Sequence, residues 1–190
     1  MPKKVWVYAA VAASMTLTTA LVTAFSGAQV FRIRDDCDPA TFNAGPPTGP
    51  GAGVICDPAT DGGTTFARFI AELTDDQEVG AWRFNPDHER LDRGEGTLLE
   101  SRGGEFHTFT RVAKFGGGIL PDLNALAGAG DTVPECGTPG NLAPPSHTHI
   151  AVPPGAILPG PTAGSAALPR GASKWQCCIH PWMRSEIRVR

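Results

Sequence analysis

Charge and aromatic rings are both scarce in this sequence. Charged side chains are 18% of its 190 residues and aromatics 7%. Basic residues number 16 against 19 acidic ones, so the chain lacks the positive field that a nucleic-acid binder needs. No Gly-x-Ser-x-Gly, paired-carboxylate or His-Glu-x-x-His arrangement occurs, which removes familiar signatures of hydrolytic chemistry. The run Gly116-Gly117-Gly118 has no strand-to-helix context and is no phosphate loop. Long helical patterns are also missing. In their place stand 23 glycines and 18 prolines, a share that favours turns and loops. With 41% hydrophobic residues, the chain still has the material for a packed core.

The first 28 residues read as an export leader. Lys3 and Lys4 form a basic start, residues 5–25 are apolar or small and uncharged, and Ser26-Gly27-Ala28 offers the small residues of a cleavage site. Thr16, Thr18, Thr19 and Thr23 dilute the apolar run, which favours cleavage near Ala28. Left uncut, the run is about long enough to anchor the chain in a bilayer. Either outcome puts the body of the protein outside the cytoplasm, periplasmic or extracellular. Taking the two leader lysines from the 16 basic residues leaves 14 against 19 acids, a net charge of −5.

Residues 29–63 hold Pro39, Pro46, Pro47, Pro50 and Pro58 among many glycines. Asp-Pro-Ala-Thr occurs twice there, at 38–41 and 57–60, each time directly after a cysteine. The segment reads as a loop or tether closed by a disulfide. Phe66, Phe69, Ile70 and Leu73 then recur at helical spacing behind Thr64-Thr65 as a cap, which predicts a short helix. Beyond it, short apolar runs at 79–84, 96–101, 106–112, 147–152, 174–180 and 186–189 alternate with turn residues such as Asn85-Pro86 and Arg93-Gly94. That pattern predicts an all-β sandwich over residues 64–190. Residues 113–146 read as a long loop inserted into it, with one helical turn near 123–126.

The chemistry concentrates near the end of the chain, in Cys177-Cys178-Ile179-His180-Pro181-Trp182-Met183. A thiolate, an imidazole and a thioether at Cys-x-x-His-x-x-Met spacing cannot lie far apart. Soft sulfur with imidazole selects copper over hard cations, and two histidines, a cysteine and a weak axial methionine make the blue-copper electron-transfer set. Cys177, His180 and Met183 supply three of the four ligands. His107, in Gly103-Gly104-Glu105-Phe106-His107-Thr108-Phe109-Thr110, is the best candidate for the fourth. Its competitors are His147 and His149, a His-x-His pair read as surface residues or a secondary site. His88 reads as a turn residue.

The loop 177–183 resembles that of the small cupredoxins, above all the amicyanin-like type, in which Cys-x-x-His-Pro-aromatic-Met is the ligand loop. The segment Trp82-Arg83-Phe84-Asn85-Pro86, followed by the His107 strand, is similar to the middle of a cupredoxin domain. The resemblance covers roughly residues 79–190. It implies a Greek-key cupredoxin sandwich holding one type-1 copper ion on His107, Cys177, His180 and Met183. It also implies a single-electron carrier between redox partner proteins rather than an enzyme, with the edge of His180 at the surface as the electron's exit. The alternative is a module that stores, delivers or senses copper with the same ligands. Two departures stand out: the 69 residues between His107 and Cys177, which require the insertion, and Cys178 beside the ligand cysteine.

Five cysteines in an oxidising compartment leave one unpaired. With Cys177 on the metal, Cys37, Cys56, Cys136 and Cys178 allow three pairings. Cys37–Cys56 and Cys136–Cys178 are preferred: the first pair brackets the proline-rich loop, and an extended backbone would turn Cys178 away from the metal. An unpaired Cys178, or a bond between the adjacent cysteines, is the alternative. Pro181 removes a backbone N–H near the metal, which predicts fewer hydrogen bonds to the Cys177 sulfur. Trp182 belongs beside the site or at its rim. Arg170, Lys174, Arg184, Arg188 and Arg190 read as an ordinary solvated terminal strand, although such a collar could also steer an acidic partner.

Overall fold

Strand β1 (Gln29–Arg34) alternates Phe31 and Ile33, both buried, with exposed Arg32 and Arg34, the period-two pattern of a strand with one face on a core. The structure, a computed structural model, describes residues 27–50 and 53–190. Residues 1–26 of the expected leader lie outside the described residues. Among those described, no helix is long and apolar enough to cross a membrane.

β1 is interior to the first sheet. It pairs antiparallel with β2 (Arg83–Asn85) and parallel with β4 (Thr97–Ser101), and β9 (Ile157–Pro159) closes the far edge of β4. The second sheet runs β3 (His88–Leu91), β11 (Arg184–Val189), β10 (Gly171–Gln176), β5 (His107–Val112), β8 (His149–Val152). The two sheets enclose one apolar core and form the expected β-sandwich. Phe109 from the second sheet lies 5.5 Å from Phe31 and 5.1 Å from Phe84 of the first, ring centre to ring centre, and stacks at 4.6 Å on Trp175.

Helix α1 (Pro39–Phe42) and helix α2 (Phe66–Asp76) pack on one end of the sandwich. Thr65 caps α2 by accepting from Arg68 N, and Phe69 and Leu73 are its buried stripe, as the sequence spacing predicts. Residues 29–63 are more than a tether. β1 takes an inner place in a sheet, and only the residues after it form the disulfide-closed loop, Cys37–Cys56 with Cα atoms 6.1 Å apart. Residues 79–82 are a turn, with Trp82 N donating to Val79 O at 2.9 Å, and the strand begins only at Arg83. His88 opens β3, parallel to β11, where a turn residue was expected.

The inserted segment is folded. It contains α3 (Pro121–Leu126), a 3-10 turn at Pro134–Cys136 and a small ribbon of β6 (Gly137–Thr138) and β7 (Asn141–Leu142). It covers the outer face of β5, which is why that strand is buried on both sides. Cys136–Cys178 ties it down, Cα to Cα 5.3 Å, with Ile119 packed alongside. Gly118 lies so close that a Cβ there would strike the Cys178 carbonyl. The strand expected at 174–180 ends at Gln176, so residues 177–183 are a loop.

Candidate metal centre

Three donor atoms meet at one end of the sandwich. His107 is the first residue of β5, facing inward with Phe109, while Cys177 and His180 follow β10. Cys177 Sγ lies 3.8 Å from His107 Nδ1 and 3.8 Å from His180 Nδ1, and all three donors fall within 4.8 Å of one another. Cys177 is the one free cysteine among the described residues and is fully buried. Backbone bonds close the loop on itself: Cys177 N donates to Met183 O at 3.0 Å and Met183 N to His180 O at 2.9 Å. Met183 is buried in the same apolar cluster as Cys177. The Cys177 sulfur accepts long hydrogen bonds from two backbone amides, Thr108 N and Ile179 N, each at 3.5 Å. Pro181 has no N–H to add to these two. Cys178 faces the opposite side, its sulfur bonded to Cys136 and its amide donating to Thr108 Oγ1 at 2.8 Å.

Both imidazoles are backed by carboxylates that the sequence reading did not single out. Asp35, just past β1, has its Oδ2 2.7 Å from His107 Nε2 and accepts from Gly104 N at 2.8 Å and Glu105 N at 3.2 Å. Gly103 is needed for this grip, since a Cβ there would collide with the Asp35 carboxylate. Glu105 Oε2 lies 3.1 Å from His180 Nε2 and accepts from Trp82 Nε1 at 2.5 Å. Glu105 sits in the bend just before β5, where no strand periodicity marks it. Asp35 carries no local signal, being 72 residues from His107.

The His180 edge does not reach solvent. The residue is 4% exposed. Phe69 of α2 lies 6.5 Å from its ring, Trp82 6.5 Å and Trp182 5.4 Å, centre to centre. The expected exit is capped because α2 lays its apolar stripe over that end of the sandwich. Trp182 is half-buried at the rim of this cap. His149 is buried against Thr110 Oγ1 at 2.9 Å and His147 is exposed outside the strand. The pair shares no face and stands apart from the cluster. In the basic collar, Lys174 and Arg184 lie over the Phe115 ring.

The charges in this pocket are coupled. Burial alone would raise the Cys177 thiol, but hydrogen bonds with His107 and His180 and their charges hold it well below its ordinary range. Burial alone would lower His180; the Glu105 charge, then Cys177, push it up to about 10. His107 is raised against its own burial by Asp35 and Cys177, and Asp35 is lowered against its burial by His107. The pocket thus favours a thiolate on Cys177 beside a protonated His180. Below pH about 10 an incoming metal ion must displace the His180 proton. Loading at neutral pH should therefore release protons, and apparent affinity should rise with pH by up to about tenfold per unit for each proton displaced. Metal titrations in weak buffer, with the pH recorded, check this. An affinity flat between about pH 6 and about pH 8 contradicts it.

No protein-family model matches the chain, and no curated protein does. Among solved structures, the chain is similar to cupredoxins. A purple cupredoxin from Nitrosopumilus maritimus is 14% identical, with 62% of this chain and 93% of that one covered and a TM-score of 0.37. A reduced amicyanin mutant is 14% identical over 60% and 78%, TM-score 0.32. Oxidised plastocyanin from Dryopteris crassirhizoma is 17% identical over 60% and 93%, TM-score 0.29.

Proposed function

We propose that this chain is an exported type-1 copper protein that carries single electrons between redox partner proteins. The observation that carries the reading is a buried, unpaired thiol held between two inward-facing imidazole nitrogens. The sulfur–nitrogen geometry suits a shared metal ion. With metal–sulfur and metal–nitrogen bonds of about 2.3 and about 2.0 Å, a sulfur and a nitrogen about 120° apart stand about 3.7 Å from each other. The two sulfur–nitrogen separations are 3.8 Å. One thiolate with two imidazoles suits copper, and Met183 is the natural weak fourth ligand on the same loop. Copper bound there would supply a one-electron couple.

The protein's own part is to hold the donors still. His107 is fixed by β5 and Asp35, Cys177 by two amides and the Met183 carbonyl, His180 by Glu105 and the aromatic cap. Little rearrangement then accompanies a change of charge. All three donors are buried and, with Met183, would leave no ligand position open to a substrate, which favours electron carriage over catalysis at the metal. The same burial disfavours a delivery role, since a delivered ion needs ligands that can be reached and exchanged. Export is supported by the leader pattern and by two disulfides. For a partner, the natural approach is the ≈ 700 Å³ apolar groove that reaches His180, rimmed by exposed Val54, Ile55, Phe106 and Leu120.

Reconstitution with Cu(II) tests the reading. The expected product binds one ion, shows an intense thiolate-to-copper visible band, and bleaches and recovers reversibly with reductant and oxidant. Stoichiometric copper without that band, or no copper retained, contradicts it.

A further inference from the structure

Each imidazole of the cluster has a buried carboxylate on its far nitrogen. His107 Nε2 meets Asp35 at 2.7 Å, with both side chains fully buried, and His180 Nε2 meets Glu105 at 3.1 Å, with both side chains 5% exposed. Satisfying a buried imidazole N–H needs only a neutral carbonyl, at far lower desolvation cost than a carboxylate. The chain instead shapes its backbone to keep the charged groups. Gly103 gives way to Asp35, the Gly104 and Glu105 amides donate to Asp35, and the Trp82 indole donates to Glu105.

We propose that Asp35 and Glu105 are a matched pair of positioning residues that bias the centre toward the higher-charged, oxidised ion and so set a low reduction potential. The proposal rests on the copper reading above. Two effects act in the same direction. A carboxylate on Nε2 fixes the tautomer that leaves Nδ1 free to ligate, and it raises the basicity of that nitrogen. With the Cys177 thiolate, the two carboxylates also bring three negative charges into a buried pocket. A divalent ion offsets more of that charge than a monovalent one, and in a low-dielectric site the difference is large. Cu(II) gains more than Cu(I), and reduction becomes harder.

The test compares Glu105→Gln and Asp35→Asn with the native chain, each loaded with copper, for both Cu(II) and Cu(I) affinity and for reduction potential. Glu105→Gln keeps the shape and an acceptor for Trp82, so it covers the case in which Asp35→Asn, which gives up a carboxylate bound to several amides, does not fold. The expected result for each variant is a retained visible band and a Cu(II) affinity about 10- to 100-fold weaker. Cu(I) affinity should change less. Each tenfold fall in the Cu(II):Cu(I) affinity ratio raises the potential by about 59 mV. A retained band with an unchanged ratio, or both affinities falling equally, overturns the proposal while leaving the copper reading standing. A native protein with no thiolate band removes the copper reading itself, and this proposal with it.

Discussion

Copper-loaded Cys177→Ser should lose the visible thiolate band completely, while Cys178→Ser should keep it. The two residues are neighbours in sequence but face opposite sides of the β10 end. Cys177 looks inward to two imidazoles at 3.8 Å, and Cys178 looks outward to Cys136. Serine at 177 offers a hard hydroxyl where the soft ion prefers thiolate. It also takes away an anionic ligand, so copper should bind more weakly as well as without colour. The visible spectrum of each reconstituted variant decides the matter. A band that survives Cys177→Ser, or vanishes in Cys178→Ser, would assign the ligand to the wrong thiol.

Removing the Cys136–Cys178 bridge should produce the largest loss of stability. It spans 42 residues, and the chain-entropy relation assigns about 4 kcal/mol to a closed loop of that length. Cys37–Cys56 spans 19, for which the same relation gives about 3 kcal/mol. The longer bridge also holds the insertion against β5, where Thr108 and Thr110 would otherwise face water and Ile119 would lose its bond to the Cys178 carbonyl. In the Cys136→Ala/Cys178→Ala double variant, the urea midpoint should fall by an amount that, multiplied by the slope, gives about 4 kcal/mol. The visible band should remain, because β5 and the 177–183 loop are fixed by their own hydrogen bonds. A loss below about 1 kcal/mol would mean that the insertion is held by packing alone.

How much of this was readable from the sequence varied with the range of the interaction. The α2 stripe of Phe66, Phe69, Ile70 and Leu73 announced itself because helical spacing is local. Strands β4, β5 and β11 were read nearly in place for the same reason. The Cys177-to-Met183 spacing placed three candidate ligands on one loop. β1 was missed because six residues of clean alternation sit before a segment whose prolines and glycines dominate its average. β3 and β9 were missed because each is short and mostly exposed.

The errors at the centre have another origin. Asp35 reaches His107 only because β1 and β4 pair in parallel, which brings the β1 end beside the Gly103-Gly104 turn. No spacing rule encodes that. The His180 cap depends on which end of the sandwich α2 covers, a choice made by Phe42, Phe69 and Trp82 packing together at ring distances of 4.8–5.7 Å. Resemblance pointed to an exposed imidazole edge, and this chain's own helix closed it. The carboxylate behind His180 belongs to the same departure, since a solvent-facing imidazole has no need of one.

The most direct measurement is X-ray absorption at the copper edge of the reconstituted native protein. The account predicts one short sulfur scatterer with two imidazole nitrogens, and the loss of that sulfur in Cys177→Ser. A shell of nitrogen and oxygen donors alone, unchanged by Cys177→Ser, would contradict it.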